Sequence, residues 1–433
     1  MWPDPDTGSY ALAQRASQVF AGGSTRLQVW IDPYPIYLTS GAGAYVRDVD
    51  GNEYFDLTNN FASLIHGHAH PEITRRVVER VMQGTCFTLP TPHDVELGEL
   101  LLARLPRMDK IRFLNSGTEA VMMAIRAARA HTGRPLIAKV EGAYHGMYDH
   151  AEISLDPSPE TWGQTPNAVP FSHGTPEAVL ADTLILPFND VEAAEALLYE
   201  KLDRLAGVLV DPCPATCGQI PITPEFAAML RRVCDEVGAL LIYDEVVSFR
   251  YGYHGAQGRF GGEPDLTTIA KIIGGGFPVG AVAGTDKAMA VFDHSRGKPL
   301  APASGTFSGN PVSMVAGLAS MQLLDEAAFE HLQALGDHAR ARLREVIAEA
   351  GWEGQVTGVG SNFILHPHAR PISDYRTAWR SDAEKRRIAA VQRGLLQRGV
   401  FLAGTGAGFI STVTTTADLD RFAEAFAQTL KAA

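Results

Sequence analysis

The sequence predicts an α/β protein, with a large αβα domain on a mostly parallel sheet and a smaller α+β domain. Three observations predict it. Short, continuously apolar runs follow helical stripes through the middle of the chain, and acids stand where those runs end. Forty-two glycines punctuate all 433 residues, without repeats or low-complexity tracts. After Asn310-Pro311 the rhythm changes to long helical stretches with few strands. Helix, buried strand and terminal acid is the grammar of an open parallel sheet, in which ligands bind beyond the carboxyl ends of the strands.

The elements follow in order. Ile36–Leu38 and Ala44–Arg47 read as short strands in an N-terminal segment, 1–50, that packs with the small domain. Asn115-Ser116-Gly117-Thr118-Glu119-Ala120 is a polar turn opening a helix that carries Val121, Ala124, Ile125 and Ala128 and stops at Gly133. A helix from about Asp190 to Leu205 leads into the strand Gly207–Val210, which ends in Asp211. Thr223-Pro224-Glu225 is an N-cap, a first-turn proline and a first-turn acid. The stripe Phe226, Met229, Leu230, Val233 and Val237 follows, and Gly238 stops it. Ala239–Tyr243 is then a strand apolar on both faces, ending in Asp244-Glu245. The large domain spans 51–310 and the small one 311–433. The latter comprises a helical stretch over about 312–351, the strand Ser361–Leu365, a helix from about Asp382 to Arg398 and a last helix capped by Thr416.

Composition excludes several function classes. With 45% hydrophobic and 20% charged residues the chain is an ordinary globular one. The net charge, 37 − 49 = −12, works against binding nucleic acid or an anionic membrane. No apolar run approaches the roughly 20 residues that span a bilayer. The first ten residues show no signal peptide, so a cytoplasmic enzyme is expected. Four cysteines cannot form a disulfide scaffold, and Cys213 and Cys217 lack a second pair at metal spacing. His66, His68 and His70 lie on one face of an extended segment, but no acid or cysteine accompanies them, so no metal is expected.

The residues able to do chemistry centre on Asp244 and Lys271. A deprotonated lysine amine forms Schiff bases, and burial near another cation favours that form. A carboxylate at a strand end can hold a proton on a ring nitrogen, which makes the ring an electron sink. The Asn115–Ala120 turn offers backbone N–H groups and the Ser116 and Thr118 hydroxyls to a phosphate, or is plain capping. In Ala143-Tyr144-His145-Gly146 the tyrosine ring stacks on a planar cofactor or is structural. Ser304-Gly305-Thr306-Phe307-Ser308-Gly309-Asn310-Pro311 is a phosphate-contacting loop or a linker.

With NSGTEA, AYHG, YDEV, TTIAK before GGG, and GTFSGNP in this order, residues 20–430 resemble a class III aminotransferase of the pyridoxal-phosphate fold type I superfamily. The nearest resemblance is to glutamate-1-semialdehyde aminomutases and β-phenylalanine-type aminotransferases. LPFND, DEVVSFRYGYHG and GSTR resemble the latter. The resemblance implies pyridoxal 5'-phosphate bound to Lys271 as a Schiff base, with Lys271 also moving the proton. It implies Asp244 on the ring nitrogen and Val246 and Tyr144 on opposite ring faces. Ser116, Gly117 and Thr118 would hold the phosphate, with His145 and Asp211 also lining the cofactor. Thr306 would reach the neighbouring subunit's phosphate, which requires a homodimer with its active sites at the interface. Arg26 resembles the arginine that grips a substrate carboxylate, or is a surface residue. Two departures stand out: Asp211-Pro212 replaces the usual Glu-Pro, and Gly404–Gly408 lacks the C-terminal arginine of the β-amino-acid group. The expected activity is ping-pong transamination between an amino donor, β- or aryl-substituted among the options, and a keto acceptor. An aminomutase or racemase is the alternative, and a silent cofactor-binding protein is a third reading.

Overall fold

The computed structural model describes residues 2–295 and 297–432, so Met1, Arg296 and Ala433 lie outside the described residues. Compactness divides the chain into two units. The larger is Glu72–Phe329 with Arg370–Trp379, and the smaller takes the chain up to Pro71, Glu330–Ala369 and the chain from Arg380 onward.

Among the described residues of the larger unit, seven strands form one sheet: β1 (Lys110–Leu114), β2 (Leu136–Val140), β3 (Thr183–Leu186), β4 (Leu205–Val210), β5 (Leu240–Asp244), β6 (Leu266–Ala270) and β7 (Gly280–Gly284). Their order is β1-β7-β6-β5-β4-β2-β3. Only β7 runs against its neighbours, and every other adjacent pair is parallel. β2, β4, β5, β6 and β7 are buried along their whole length, as continuously apolar strands between two helical layers should be. The register pairs Asp244 with Thr268 and Lys139 with Leu209. Asn115, Glu141, Asp211, Glu245 and Lys271 each follow the last residue of a parallel strand, so they emerge on one edge of the sheet.

Local signals account for the helices. The Gly117–Thr132 helix starts where Ser116 Oγ accepts the Glu119 N–H at 3.1 Å, and it ends at Gly133 with φ +70°. The Pro224–Val237 helix has the expected Thr223 cap and left-handed Gly238. Three expectations shift. The helix after Asp190 is Val191–Tyr199 rather than reaching Leu205, because Leu205 is already in β4 opposite Leu136. The stretch over 312–351 is two helices, Pro311–Leu323 and Glu326–Glu349, because Asp325 Oδ1 accepts the Ala328 N–H at 2.8 Å and caps the second. The last helix, Thr416–Ala432, is capped by Thr415, whose hydroxyl accepts the Asp418 N–H.

The smaller unit joins both chain ends. Glu53–Asp56 pairs antiparallel with Tyr45–Asp48 and parallel with Val400–Phe401, so an N-terminal hairpin and a C-terminal strand share one sheet. Its core includes Phe363 stacked on Phe422 with centroids 5.6 Å apart. His66 Nδ1 lies 2.9 Å from Thr412 Oγ1 and His68 Nε2 2.8 Å from Asp56 Oδ2, so these imidazoles serve local hydrogen bonds. The expected bounds at 50 and 310 therefore fall short of the observed ones at 71 and 329. The reason is packing: the Pro311–Leu323 helix lies on the segment after Lys271, with Ser320 Oγ donating to Ile272 O at 3.2 Å.

Gly317 is the contact point of that helix, since a Cβ there would stand 2.1 Å from Ile273 O. Alanine normally favours a helix interior over glycine by about 1 kcal/mol. Here overpacking against backbone costs roughly 1–3 kcal/mol and wins. Gly317→Ala is therefore expected to lower the urea midpoint of the larger unit's unfolding transition; a midpoint unchanged or raised contradicts this contact.

Candidate active site

Asp244 ends β5 with a buried carboxylate and three donors. The register brings Thr268 beside it, and Thr268 Oγ1 donates to Oδ1 at 3.0 Å. The Val246 N–H donates to the same oxygen at 3.0 Å. His145 Nδ1 lies 2.7 Å from Oδ2. Burial lowers the His145 pKa, which favours the neutral ring, with Asp244 opposing and the Lys139 charge assisting. A carboxylate only accepts, so neutral His145 carries its proton on Nδ1. Its Nε2 is buried and has no partner among the described residues.

Lys271 follows β6 and has φ +52°, a left-handed conformation that a side-chain-bearing residue adopts at a cost of about 1–3 kcal/mol. The conformation turns the chain out of the strand at Lys271. Burial lowers the Lys271 pKa, and the buried Arg250 cation adds to this, while Asp244 and Asp211 oppose it. The amine is thereby moved toward its nucleophilic form. Asp211, at the end of β4, accepts the Cys213 N–H at 2.9 Å. Its carboxyl is pushed up from 3.8 to about 8, chiefly by burial and then by the Asp244 charge, so it is a hydrogen-bond donor at neutral pH.

The remaining motifs converge on this edge. A Cβ on Gly117 would approach Val246 Cγ1 to 2.9 Å, so glycine lets the helix start against the residue after Glu245. Gly146, φ +89°, packs on Thr118, whose Oγ1 accepts the Met147 N–H at 3.3 Å. Ser116 is occupied as a cap, whereas the Gly117 and Thr118 N–H groups have no protein acceptor among the described residues. The Ser304–Pro311 loop comes beside this turn, since a Cβ on Gly305 would lie 3.3 Å from Asn115 Nδ2. Thr306 itself is exposed, and Tyr144 is 43% exposed. Arg26 lies in the smaller unit, where it donates to Asn60 Oδ1 at 2.9 Å and lies over the Phe61 ring. Thr268 carries no sequence signal of its own; only the strand register sets its hydroxyl against the Asp244 carboxylate.

This donor set fits pyridoxal phosphate. It offers a lowered-pKa amine, a hydrogen-bonded carboxylate, an orphaned imidazole nitrogen and a glycine-opened helix N-terminus for an anion. Sequence comparison leads to the same class. The chain matches the family described as aminotransferase class-III over residues 27–430, and it belongs to that family. Its architecture is fold type I, and its cofactor is pyridoxal 5'-phosphate, as in solved relatives. Among individual proteins, it is 39% identical over 426 residues to a glutamate-1-semialdehyde 2,1-aminomutase of Thermomicrobium roseum, with 96% of each chain covered. It is similar to the crystal structure of an omega-transaminase from Sphaerobacter thermophilus, at 47% identity over 99% of this chain and 98% of that one, with a TM-score of 0.97. It is also similar to a β-phenylalanine aminotransferase from Variovorax paradoxus, at 32% identity, 98% and 94% coverage and a TM-score of 0.88. No helix among the described residues is long and apolar enough to cross a membrane.

The Asp211 shift has a sign that can be measured. Its folded pKa lies above the unfolded one, so its contribution is fully present below about 4 and is lost as pH rises through about 8. Asp211→Asn cannot ionise. The difference in melting temperature between Asp211→Asn and the parent apoprotein is therefore expected to move in the variant's favour from pH 4 to pH 8; a constant difference contradicts the shift.

Proposed function

We propose that this chain is a transaminase that moves an amino group from an amino acid or amine, β- or aryl-substituted among the candidates, to a keto acid by a ping-pong mechanism. The observation that carries this reading is the likeness to the omega-transaminase, 47% identical with nearly every residue covered. When bound, pyridoxal phosphate supplies a carbonyl that condenses with amines and a ring that accepts an electron pair.

The chain's residues divide the remaining work. Lys271 Nζ anchors the cofactor, then takes the proton from the donor's carbon and returns it at the opposite end of the shift. Asp244, held by Thr268, Val246 and His145, keeps the ring nitrogen protonated. Val246 and Tyr144 enclose the ring, and Asp211 is the donor for the ring oxygen. The Gly117 and Thr118 N–H groups take the phosphate, where the helix dipole favours negative charge. Arg26 is the candidate for the substrate carboxylate. Thr306 is assigned to the phosphate of a second copy; its exposure and that of neighbouring Phe307 suit a homodimer. Four unpaired cysteines accord with a reducing cytoplasm.

A second reading, an aminomutase, is favoured by the 39% identical relative of that name. Both use the same proton carrier, so the test concerns release of the amino group. With a panel of α- and β-amino acids and aryl amines, product amino acid should form only when an external keto acid is supplied, in equal amount to donor consumed. Conversion of a single substrate with no acceptor dependence sinks the transaminase reading. Lys271→Ala should lower turnover by at least about a thousandfold while cofactor still binds; full activity in that variant contradicts the assignment of Lys271.

A further inference from the structure

We propose that Lys139 and Arg376 are positioning residues that fix Tyr144 and His145 at the cofactor site. Lys139 is fully buried in β2, among Leu136, Ile137, Ala138 and Val140, where an apolar side chain would ordinarily stand. Burying an amine is costly unless its protons are bonded. Its Nζ donates to Ala143 O at 3.0 Å and to Ile153 O at 2.7 Å. Those two carbonyls are the ends of one excursion of the chain. Between them lie Tyr144, His145 with its bond to Asp244, and Gly146 and Met147 against Thr118. One side chain thus ties both ends of the segment that carries two cofactor-facing residues.

The base of the same excursion is held from a second direction. Arg376 Nε and Nη2 donate to the Glu141 carboxylate at 2.7 and 3.1 Å, and Nη1 donates to Gly163 O at 2.9 Å. The Tyr375 ring lies so close to Gly142 that a Cβ there would stand 1.9 Å from it, and Gly142 has φ +73°. The Gly142 N–H donates to Ser154 O at 2.7 Å, closing the excursion one residue outside the Lys139 tie. Burial lowers the Lys139 amine to about 7, with Cys217 and Glu141 opposing. A neutral amine keeps two N–H donors, so both bonds persist in either protonation state.

The inference rests on the proposed placement of Tyr144 and His145 at the cofactor and is independent of whether the reaction is a transamination or an isomerisation. It is tested on Lys139→Met, which keeps the length and apolar stem but removes the donors. The readouts are the dissociation constant for pyridoxal phosphate and the visible circular dichroism per bound cofactor at saturation, which reports ring orientation. The expected result is an affinity about tenfold weaker and a visible band reduced at least about twofold. Folded Lys139→Met with parental affinity and parental visible band overturns the proposal, whatever its melting temperature. If Lys139→Met does not fold, Arg376→Gln decides by the same two readouts: weakened binding with an altered band supports the proposal, and unchanged values overturn it.

Discussion

The Asp244 carboxylate is buried at the end of β5, and each of its three donors comes from a different part of the larger unit. Thr268 belongs to the strand that delivers Lys271 three residues later. Val246 belongs to the turn on which the Gly117 helix start rests. His145 belongs to the excursion that carries Tyr144. A buried carboxylate costs several kcal/mol unless such bonds compensate it, so the charge is tolerated only while all three segments are in place. The same requirement therefore brings together Lys271, the start of the Gly117 helix and the segment that carries Tyr144.

A second carboxyl near this charge would be repulsive if ionised. Burial and then the Asp244 charge push Asp211 to about 8, which leaves it protonated beside the Asp244 carboxylate at neutral pH. Lys271 is treated in the opposite sense: burial and Arg250 lower it while the Asp244 charge restrains the fall. Burial thus moves both groups toward their uncharged forms, a hydrogen-bonding carboxyl and a nucleophilic amine. The left-handed backbone at Lys271 adds local strain at the residue whose geometry matters most, and the surrounding sheet and the Pro311–Leu323 helix hold it there.

Much of this was legible in the sequence because the relevant signals are local. Strand-end acids, the Ser116 and Thr223 caps and the Gly133 and Gly238 stops each occupy a few consecutive residues, and each stands where it was expected. What escaped reading depends on long-range packing. Thr268 looks like any β-branched strand residue until the register sets it opposite Asp244. Lys139 reads as an interruption of an apolar run until its amine meets two carbonyls further along the chain. Arg376 is 235 positions from Glu141, and no periodicity spans such a distance. The break at Leu324-Asp325 was hidden because apolar residues continue on both sides; only the cap at Asp325 reveals it. Arg26 bonds Asn60 in its own unit, so its expected role rests on resemblance and not on this geometry.

The role proposed for Asp244, held by three donors, is to maintain a proton on the cofactor's ring nitrogen. The most direct test is the nitrogen-15 chemical shift of ring-labelled pyridoxal phosphate bound to the protein at neutral pH. A pyridinium shift in the parent that moves to the neutral-pyridine value in Asp244→Asn is the predicted result. A neutral-pyridine shift in the parent, or a pyridinium shift that survives Asp244→Asn, contradicts it.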